Sequence, residues 1–318
     1  MQNFIKGKNV LGVFSDPAGA KSVLSYLNIF GDSAKSIKTF TNKSKKNYGE
    51  FNIKINNIEE FEIENLDEVN ILITGTSLPN NIEIEFIELS IEKKIFSISF
   101  VDHWTNIQQR FKYKNKFIYP NMICLVDEYA KDIAIKQGIP KDILHAIGNP
   151  HHSYLSKWKP SINREDFLNS LNIGVNNNYL LYSPEPFLKF NLDKKYGFNE
   201  IDGLKLLHES ISKLDTNISL IVKAHPNEEN NHLEKLLNSI NKKEYFYIKS
   251  CDMNHLIFYS AANIGFFSNS LIESSIMGVK TIRMLSLLND PQQDPLKHLK
   301  YKFINIYKPE LLYKYISL

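Results

Sequence analysis

Asn9-Val10-Leu11-Gly12-Val13-Phe14 runs directly into Ser15-Asp16-Pro17-Ala18-Gly19-Ala20, and a helical pattern then extends from Lys21 to Phe30. A short apolar run closed by small turn residues and followed by a helix is the opening of a parallel β-α-β unit. The same alternation continues outward. Strands are expected at Lys35–Phe40, Phe51–Ile55, Val69–Thr74, Lys94–Phe100, Met122–Val126 and Asp142–Ile147, with helices around Ile82–Lys93 and Glu128–Gln137. Beyond Pro150 the rhythm repeats. Strands are expected at Asn178–Tyr182, Ile218–Lys223, Glu244–Ile248, Asn263–Phe266 and Val279–Met284, and helices at Asp202–Leu214, Met253–Ser260 and Ser268–Met277.

Strands alternating with helices imply an α/β protein with parallel sheets covered on both faces. The expectation is two doubly wound, Rossmann-like domains, residues 1–150 and 151–318, facing a central cleft, with the extreme C-terminus free to pack back on the first. In open parallel sheets ligands bind beyond the carboxyl ends of the strands. Asp16, Thr76, Asp102, His225 and Ser268 each follow such an end.

Composition narrows the function classes. Hydrophobic residues make up 43% of the chain and charged residues 23%, which excludes a disordered chain, a collagen-like fibre and a coiled coil. A net charge of +3, from 38 basic and 35 acidic residues, gives no broad footprint for nucleic acid. Only Arg110, Arg164 and Arg283 are arginines; Lys43–Lys46 and Asn176–Asn178 reflect a Lys- and Asn-rich composition and are expected to be solvated loops. Cys124 and Cys251 can build neither a disulfide framework nor a metal site, and a reducing compartment fits them. No apolar window reaches the roughly 20 residues of a membrane span, and no signal-type apolar region follows the N-terminus. A cytoplasmic location is expected, compatible with contact at the inner face of the membrane.

Several clusters carry chemistry, each beside a plainer reading. Ser268-Asn269-Ser270 at a strand-to-helix turn is an anion cradle or an ordinary helix cap. Lys223 and His225 flank a strand end, where both can face a phosphate; a polar loop is the alternative. Asp16 is a general base, an acceptor-binding carboxylate or the N-cap of the helix behind it. In Val101-Asp102-His103-Trp104, Asp102 or His103 can deprotonate a hydroxyl, Trp104 can stack on a sugar face, and Arg110 can hold an anionic group; a capped loop with a core tryptophan is the alternative. Thr76 can line the same region. Ser183 and Glu185, in Tyr182-Ser183-Pro184-Glu185-Pro186, follow the first strand of the second half. His151 and His152 read as hinge residues, and no third ligand makes them a metal site.

Three segments resemble glycosyltransferases of the GT-B architecture. Val126–Lys131, continuing through Gln137-Gly138-Ile139-Pro140 to Ile147-Gly148-Asn149-Pro150, resembles the end of a GT-B N-terminal domain. Lys223-Ala224-His225-Pro226 resembles the Lys-x-His-Pro box of bacterial sialyltransferases, polysialyltransferases, some Kdo transferases and CDP-glycerol phosphotransferases. Ser260–Lys280 is similar to the GT-B donor-site segment, where a helix begins at a Ser/Thr pair and carries a glutamate. The small-residue loop at Ser15–Ala20 resembles the one such enzymes place under the donor.

The resemblance implies a metal-independent, cofactor-free glycosyltransferase. Its donor side would hold Gly19, Ser183, Glu185, Lys223, His225, Pro226, Ser268, Asn269, Ser270 and Glu273, with Glu273 on a ribose hydroxyl and His225 on the departing phosphate. Asp102, His103 or Asp16 would activate the acceptor, held by Thr76, Trp104 and Arg110. A CMP-activated nonulosonic acid is the favoured donor, a UDP-sugar the next, and a carbohydrate or glycolipid of the bacterial surface the acceptor. A CDP-polyol phosphotransferase, a UDP-GlcNAc 2-epimerase (whose His-Val-Glu-Ala-Gly motif is absent) and a non-catalytic sugar-nucleotide binder are the alternatives.

Overall fold

The computed structural model describes residues 2–43, 48, 51, 53–62, 66–78, 82–174, 178–214, 218–225, 227, 228 and 230–317. Ser44–Lys46, Asn176, Asn177 and Pro226 lie outside them. The chain divides into two compact units, Met1–Leu155 and Ser156–Leu318.

The first unit runs β1 (Asn9–Phe14), α1 (Pro17–Phe30), β2 (Ser36–Thr41), β3 (Asn56–Asn57), β4 (Ile71–Thr74), α2 (Ile82–Glu92) and β5 (Phe96–Val101). A short antiparallel hairpin follows, β6 (Lys112–Tyr113) with β7 (Lys116–Phe117). Then come β8 (Met122–Leu125), α3 (Glu128–Lys136), β9 (Leu144–Ala146) and α4 (Pro150–Leu155). Its seven-stranded sheet has the order β3-β2-β1-β4-β5-β8-β9, and every pairing is parallel.

The second unit runs α5 (Arg164–Ser170), β10 (Tyr179–Tyr182), α6 (Asp193–Tyr196), α7 (Glu200–Ile211), β11 (Ser219–Lys223), α8 (His232–Ile240), β12 (Tyr245–Ile248), α9 (Met253–Phe258), β13 (Ala262–Gly265), α10 (Asn269–Ile276), β14 (Thr281–Arg283), β15 (Ile304–Asn305) and α11 (Leu312–Ile316). Its six-stranded sheet, order β12-β11-β10-β13-β14-β15, is also wholly parallel. In each sheet the first strand lies inside, so the order reverses between β1 and β4 and again between β10 and β13. Such a reversal opens a crevice at the strand ends.

Strands covered on both faces must be apolar throughout, and β4 (ILIT), β10 (YLLY) and β13 (ANIG) are buried along their whole length. Helix starts are marked by short polar side chains that satisfy free N–H groups. Asp127 accepts from Ala130 N, Asn163 from Asp166 N, and Asn199 from Ile201 N and Asp202 N.

Three expectations are corrected. The units part after Leu155 rather than after Pro150, because α4 belongs to the first core: Ser22 Oγ donates to Asn149 Oδ1 at 3.2 Å, and Ser25 Oγ lies 3.1 Å from His151 Nδ1. His151 is therefore a buried contact of α1, not a hinge. The C-terminal helix α11 packs on α7, with Leu312 and Ile316 in the second unit's own core. No strand forms over the described residues of Phe51–Ile55; Phe51 and Ile53 pack into the first core, and β2 pairs instead with Asn56–Asn57. Among the described residues no helix is long and apolar enough to cross a membrane.

Candidate functional site

The crevice of the first unit lies between the loops after β1 and β4. Register brings these loops together: Val13 pairs with Thr74, and Gly75 N donates to Val13 O at 3.1 Å. The backbones of Gly19 and Gly75 then touch. A Cβ on Gly75 would sit 2.8 Å from Gly19 Cα, and one on Gly19 would sit 3.0 Å from Thr76 N. Gly19 thus has a packing role, letting α1 start against the β4 loop.

Asp16 occupies the N-cap position of α1 but makes no side-chain cap there. Its Oδ2 accepts from Leu78 N at 3.2 Å, while its own N donates to Ser77 Oγ at 2.9 Å. Ser77 Oγ in turn donates to Glu83 Oε1 at 2.5 Å, and Ser15 N donates to the same oxygen at 2.9 Å. Burial pushes the Glu83 carboxyl up to about 7, against the pull of these hydrogen bonds.

One strand further along, Arg110 bridges two loops. Its Nη1 donates to Thr76 O at 3.0 Å, to Thr76 Oγ1 at 3.3 Å and to Asp102 Oδ1 at 3.1 Å, with side chains 14% and 8% exposed for Arg110 and Asp102. The Thr76 hydroxyl faces inward, donating to Phe100 O at 3.2 Å. Thr76 is thus a brace and not an acceptor contact. Trp104 is also corrected: its ring is 6% exposed and its Nε1 donates to both oxygens of Asp127 at 2.9 Å, so it has no open face for a sugar. His103 is half-buried beside it, with Nδ1 accepting from Thr105 N at 3.2 Å. Asp16, Asp102 and Arg110 therefore gather at these strand ends.

At the strand-order reversal of the second unit three hydroxyls meet. Ser183, after β10, donates to Asn263 Oδ1 at 2.7 Å and lies 2.8 Å from Ser270 Oγ. Ser270 Oγ lies 2.9 Å from Ser268 Oγ, and Asn263 Nδ2 donates to Ser270 O at 3.1 Å. Ser268 caps α10 by accepting from Ser270 N, Asn269 is exposed at the first turn, and Glu273 is buried one turn on. Glu185 Oε1 accepts from Phe267 N; its other oxygen is shielded without a partner, and burial pushes this carboxyl up to about 7.

At the neighbouring end of β11, Asn227 N donates to His225 Nδ1 at 3.1 Å, which leaves the proton on Nε2. Burial, helped by Lys223, pushes the imidazole down to about 4. At neutral pH His225 is a neutral N–H donor. Lys223 Nζ donates to Ala224 O at 2.7 Å and Lys249 O at 3.1 Å, bracing β11 against the end of β12. Pro226 lies outside the described residues.

Sequence reasoning missed Glu83, Asn263, Arg283 and Asp294. Arg283 is 1% exposed; its Nε donates to Phe266 O at 2.8 Å and its Nη2 pairs with Asp294. Asn263 was detectable as a polar residue inside an apolar strand; Glu83 looked like any first-turn helix glutamate. One constellation outside the crevices has the look of a nucleophile: His255 Nε2 lies 3.3 Å from Ser161 Oγ, with Nδ1 3.0 Å from Asp252. That Nε2 also accepts from Ser161 N at 3.2 Å, so the arrangement clamps the Ser161 loop to α9. Among the described residues no group of three or more His, Cys, Asp or Glu side chains is placed to hold a metal ion.

No protein-family model matches the chain, and no curated protein matches it. Solved structures do. The UDP-GlcNAc 2-epimerase of Methanocaldococcus jannaschii is 14% identical, with a TM-score of 0.64 over 98% of this chain and 92% of that one. The UDP-GlcNAc 2-epimerase of Neisseria meningitidis, bound to UDP-GlcNAc, is 13% identical, with a TM-score of 0.60 over 89% and 84%. Anabaena HepE in complex with UDP-glucose is 11% identical, with a TM-score of 0.56 over 87% and 80%. These likenesses support the GT-B-type fold and not the sialyltransferase-type affiliation read from the Lys-x-His-Pro box. The chain has the fold of these proteins, two Rossmann-like α/β units of the GT-B type.

Proposed function

We propose that this protein is an enzyme acting on a UDP-sugar, with 2-epimerisation of a UDP-N-acetylhexosamine favoured over glycosyl transfer. The observation that carries the reading is the hydroxyl chain Ser183–Ser270–Ser268 at the start of α10, set at the strand-order reversal of the second unit. Hydroxyls and free N–H groups at a helix start suit a diphosphate. The neighbours with this fold include proteins solved with UDP-GlcNAc and UDP-glucose. In this reading Glu273 receives a ribose hydroxyl and His225 donates Nε2–H to the departing phosphate, while Asp102 is the candidate base of the first unit. No cofactor or metal is assigned.

The Lys223–Pro226 segment favours a second reading, a metal-independent glycosyltransferase with a cytidine or uridine donor and a carbohydrate or glycolipid acceptor. Thermal shift with UDP, UDP-GlcNAc, UDP-glucose, CMP, CDP, GDP and dTDP separates the bases, because a ligand bound only to the folded state raises its stability. UDP compounds should give the largest shift; CMP or CDP in first place would move the reading to transfer, and no shift with any would reject both. Incubation with UDP-GlcNAc alone, followed by NMR, should give the 2-epimer without an acceptor. His225→Ala should cost about 2–4 kcal/mol in turnover. Asp102→Asn should abolish turnover and leave UDP-induced stabilisation in place.

A further inference from the structure

Glu83 belongs to α2, away from every motif read in the sequence, yet three backbone segments meet on its carboxyl. Oε1 accepts from Ser15 N at 2.9 Å, on the loop after β1, and from Ser77 Oγ at 2.5 Å, on the loop after β4. Ser77 Oγ also accepts from Asp16 N at 2.9 Å, and Asp16 Oδ2 accepts from Leu78 N at 3.2 Å. The circuit is closed: each loop is tied to the other directly and again through Glu83. It runs beside the Gly19–Gly75 contact, where the two loops leave no room for a side chain.

We propose that Glu83 is the positioning residue of the first unit's crevice, holding the loops after β1 and β4 in one spacing through a single carboxyl oxygen and so setting where the Asp16 carboxylate stands. What Asp16 then serves rests on the nucleotide-sugar reading; the clamp itself does not. Glu83 is 2% exposed, and its Oε2 is out of reach of solvent and has no hydrogen-bond partner. Substrate cannot touch it, so it acts only through Ser15, Ser77 and Asp16.

The clamp is sensitive to protonation. Burial disfavours a charge on Glu83, and the Asp16 carboxylate facing it adds to that; the donors Ser77 and Ser15, and the start of α2, pull the other way. Burial wins and leaves the group titrating at about 7. The other groups that act on this corner do so through Asp16 and Thr76: Tyr48 faces Asp16, and Arg110 holds Thr76. Below about 7 the Glu83 carboxyl is neutral; above it the clamp carries a charge that burial disfavours, which weakens its hold on the two loops.

Glu83→Gln keeps a carbonyl oxygen for Ser15 and Ser77 and carries no charge at any pH; Glu83→Ala removes the clamp. With a UDP-sugar that the wild type turns over, kcat should fall as pH rises through about 7, and E83Q should lose that inflection. E83A should lose about ten- to a hundredfold in kcat with little change in KM, the mark of misplaced rather than missing contacts. An unshifted inflection in E83Q, or wild-type kcat in E83A, overturns the proposal. If no nucleotide sugar is turned over, the same comparison is read from urea midpoints across that pH range and from the infrared band of a protonated carboxyl. Glu185 also stands at about 7, so this comparison is made in the Glu185→Gln background: loss of both the remaining inflection and the remaining band on adding E83Q supports the clamp whatever the substrate, and their persistence rejects it. Should E83A fail to fold, E83Q against wild type decides alone.

Discussion

In the first unit the loops on either side of the strand-order reversal are joined by two carboxyl groups and a serine hydroxyl; in the second they are joined by three hydroxyls and an amide. Ser15, Asp16, Ser77 and Glu83 form the first set, and Ser183, Asn263, Ser268 and Ser270 the second. Both units then anchor the loop after their middle strand with an arginine, Arg110 on Thr76 and Arg283 on Phe266. The difference lies in where charge is allowed to reach solvent. Arg110 is 14% exposed and Arg283 only 1%, with Arg283 packed over the rings of Phe267 and Phe303, while their partners Asp102 and Asp294 are buried to a similar extent. A crevice lined with hydroxyls and a neutral imidazole suits an anion. One lined with carboxylates suits proton transfer or sugar hydroxyls.

The sharpest way to break this comparison is to remove the two arginines. Arg283→Ala strands Asp294 in the core and should cost about 3–5 kcal/mol in urea unfolding. Arg110→Ala should cost about 1–3 kcal/mol, since Arg110 itself lies partly open and water can take its place beside Asp102. Equal losses would mean that the two pairs are equally buried in solution.

Acidity comes next. Glu83 and Glu185 both stand at about 7 when folded, above the ordinary carboxylate value of 4.5. A raised acid binds its proton more tightly in the folded state. Its stabilisation is therefore full below about pH 4.5, is lost as pH rises to about 7, and is flat above, on the order of 3 kcal/mol for each group. His225 runs the other way. Its folded value of about 4 lies below the ordinary 6.5, so it costs stability as pH falls through that window. Urea midpoints of wild type, E83Q, E185Q and His225→Gln should resolve the three contributions. A glutamine variant that keeps the full slope would clear its glutamate of the effect.

Smaller effects test the packing beneath the crevices. Gly75→Ala drives a Cβ into the Gly19 backbone at 2.8 Å, and Gly203→Ala drives one to 2.3 Å from the Tyr182 hydroxyl. Each should cost about 1–3 kcal/mol by thermal melting. Gly75→Ala should in addition disturb the Asp16 loop, whereas Gly203→Ala should leave it alone. Asp127→Ala removes the α3 cap and the partner of Trp104 together, and should cost about 1–2 kcal/mol with a shift in tryptophan emission.

Most strands were legible because a strand buried on both faces must be apolar along its length, as in Asn9–Phe14, found residue for residue, and Tyr179–Tyr182. The start of α10 was legible because Ser268 is a capping side chain placed just after an apolar strand. Phe51–Ile55 misled because core packing and strand pairing both call for apolar residues. Helix α11 escaped because five residues are too few to show a helical period, whereas α8 carries a regular apolar stripe at Leu233, Leu236, Leu237 and Ile240 that the sequence reading passed over.

The sequence by itself determined the alternation of strand and helix, the polar turns that end the strands, and hence which short segments carry the chemistry. These follow from burial and capping, which act over a few residues. Tertiary structure alone decided that β1 lies beside β4 and β10 beside β13, that Trp104 and Thr76 turn inward, that Lys223 spends its charge on two carbonyls, and that Glu83 and Glu185 are sealed from water. Each of these depends on which distant segment arrives as a neighbour. A side chain's partners, and the solvent it loses to them, do not exist until the sheet is assembled.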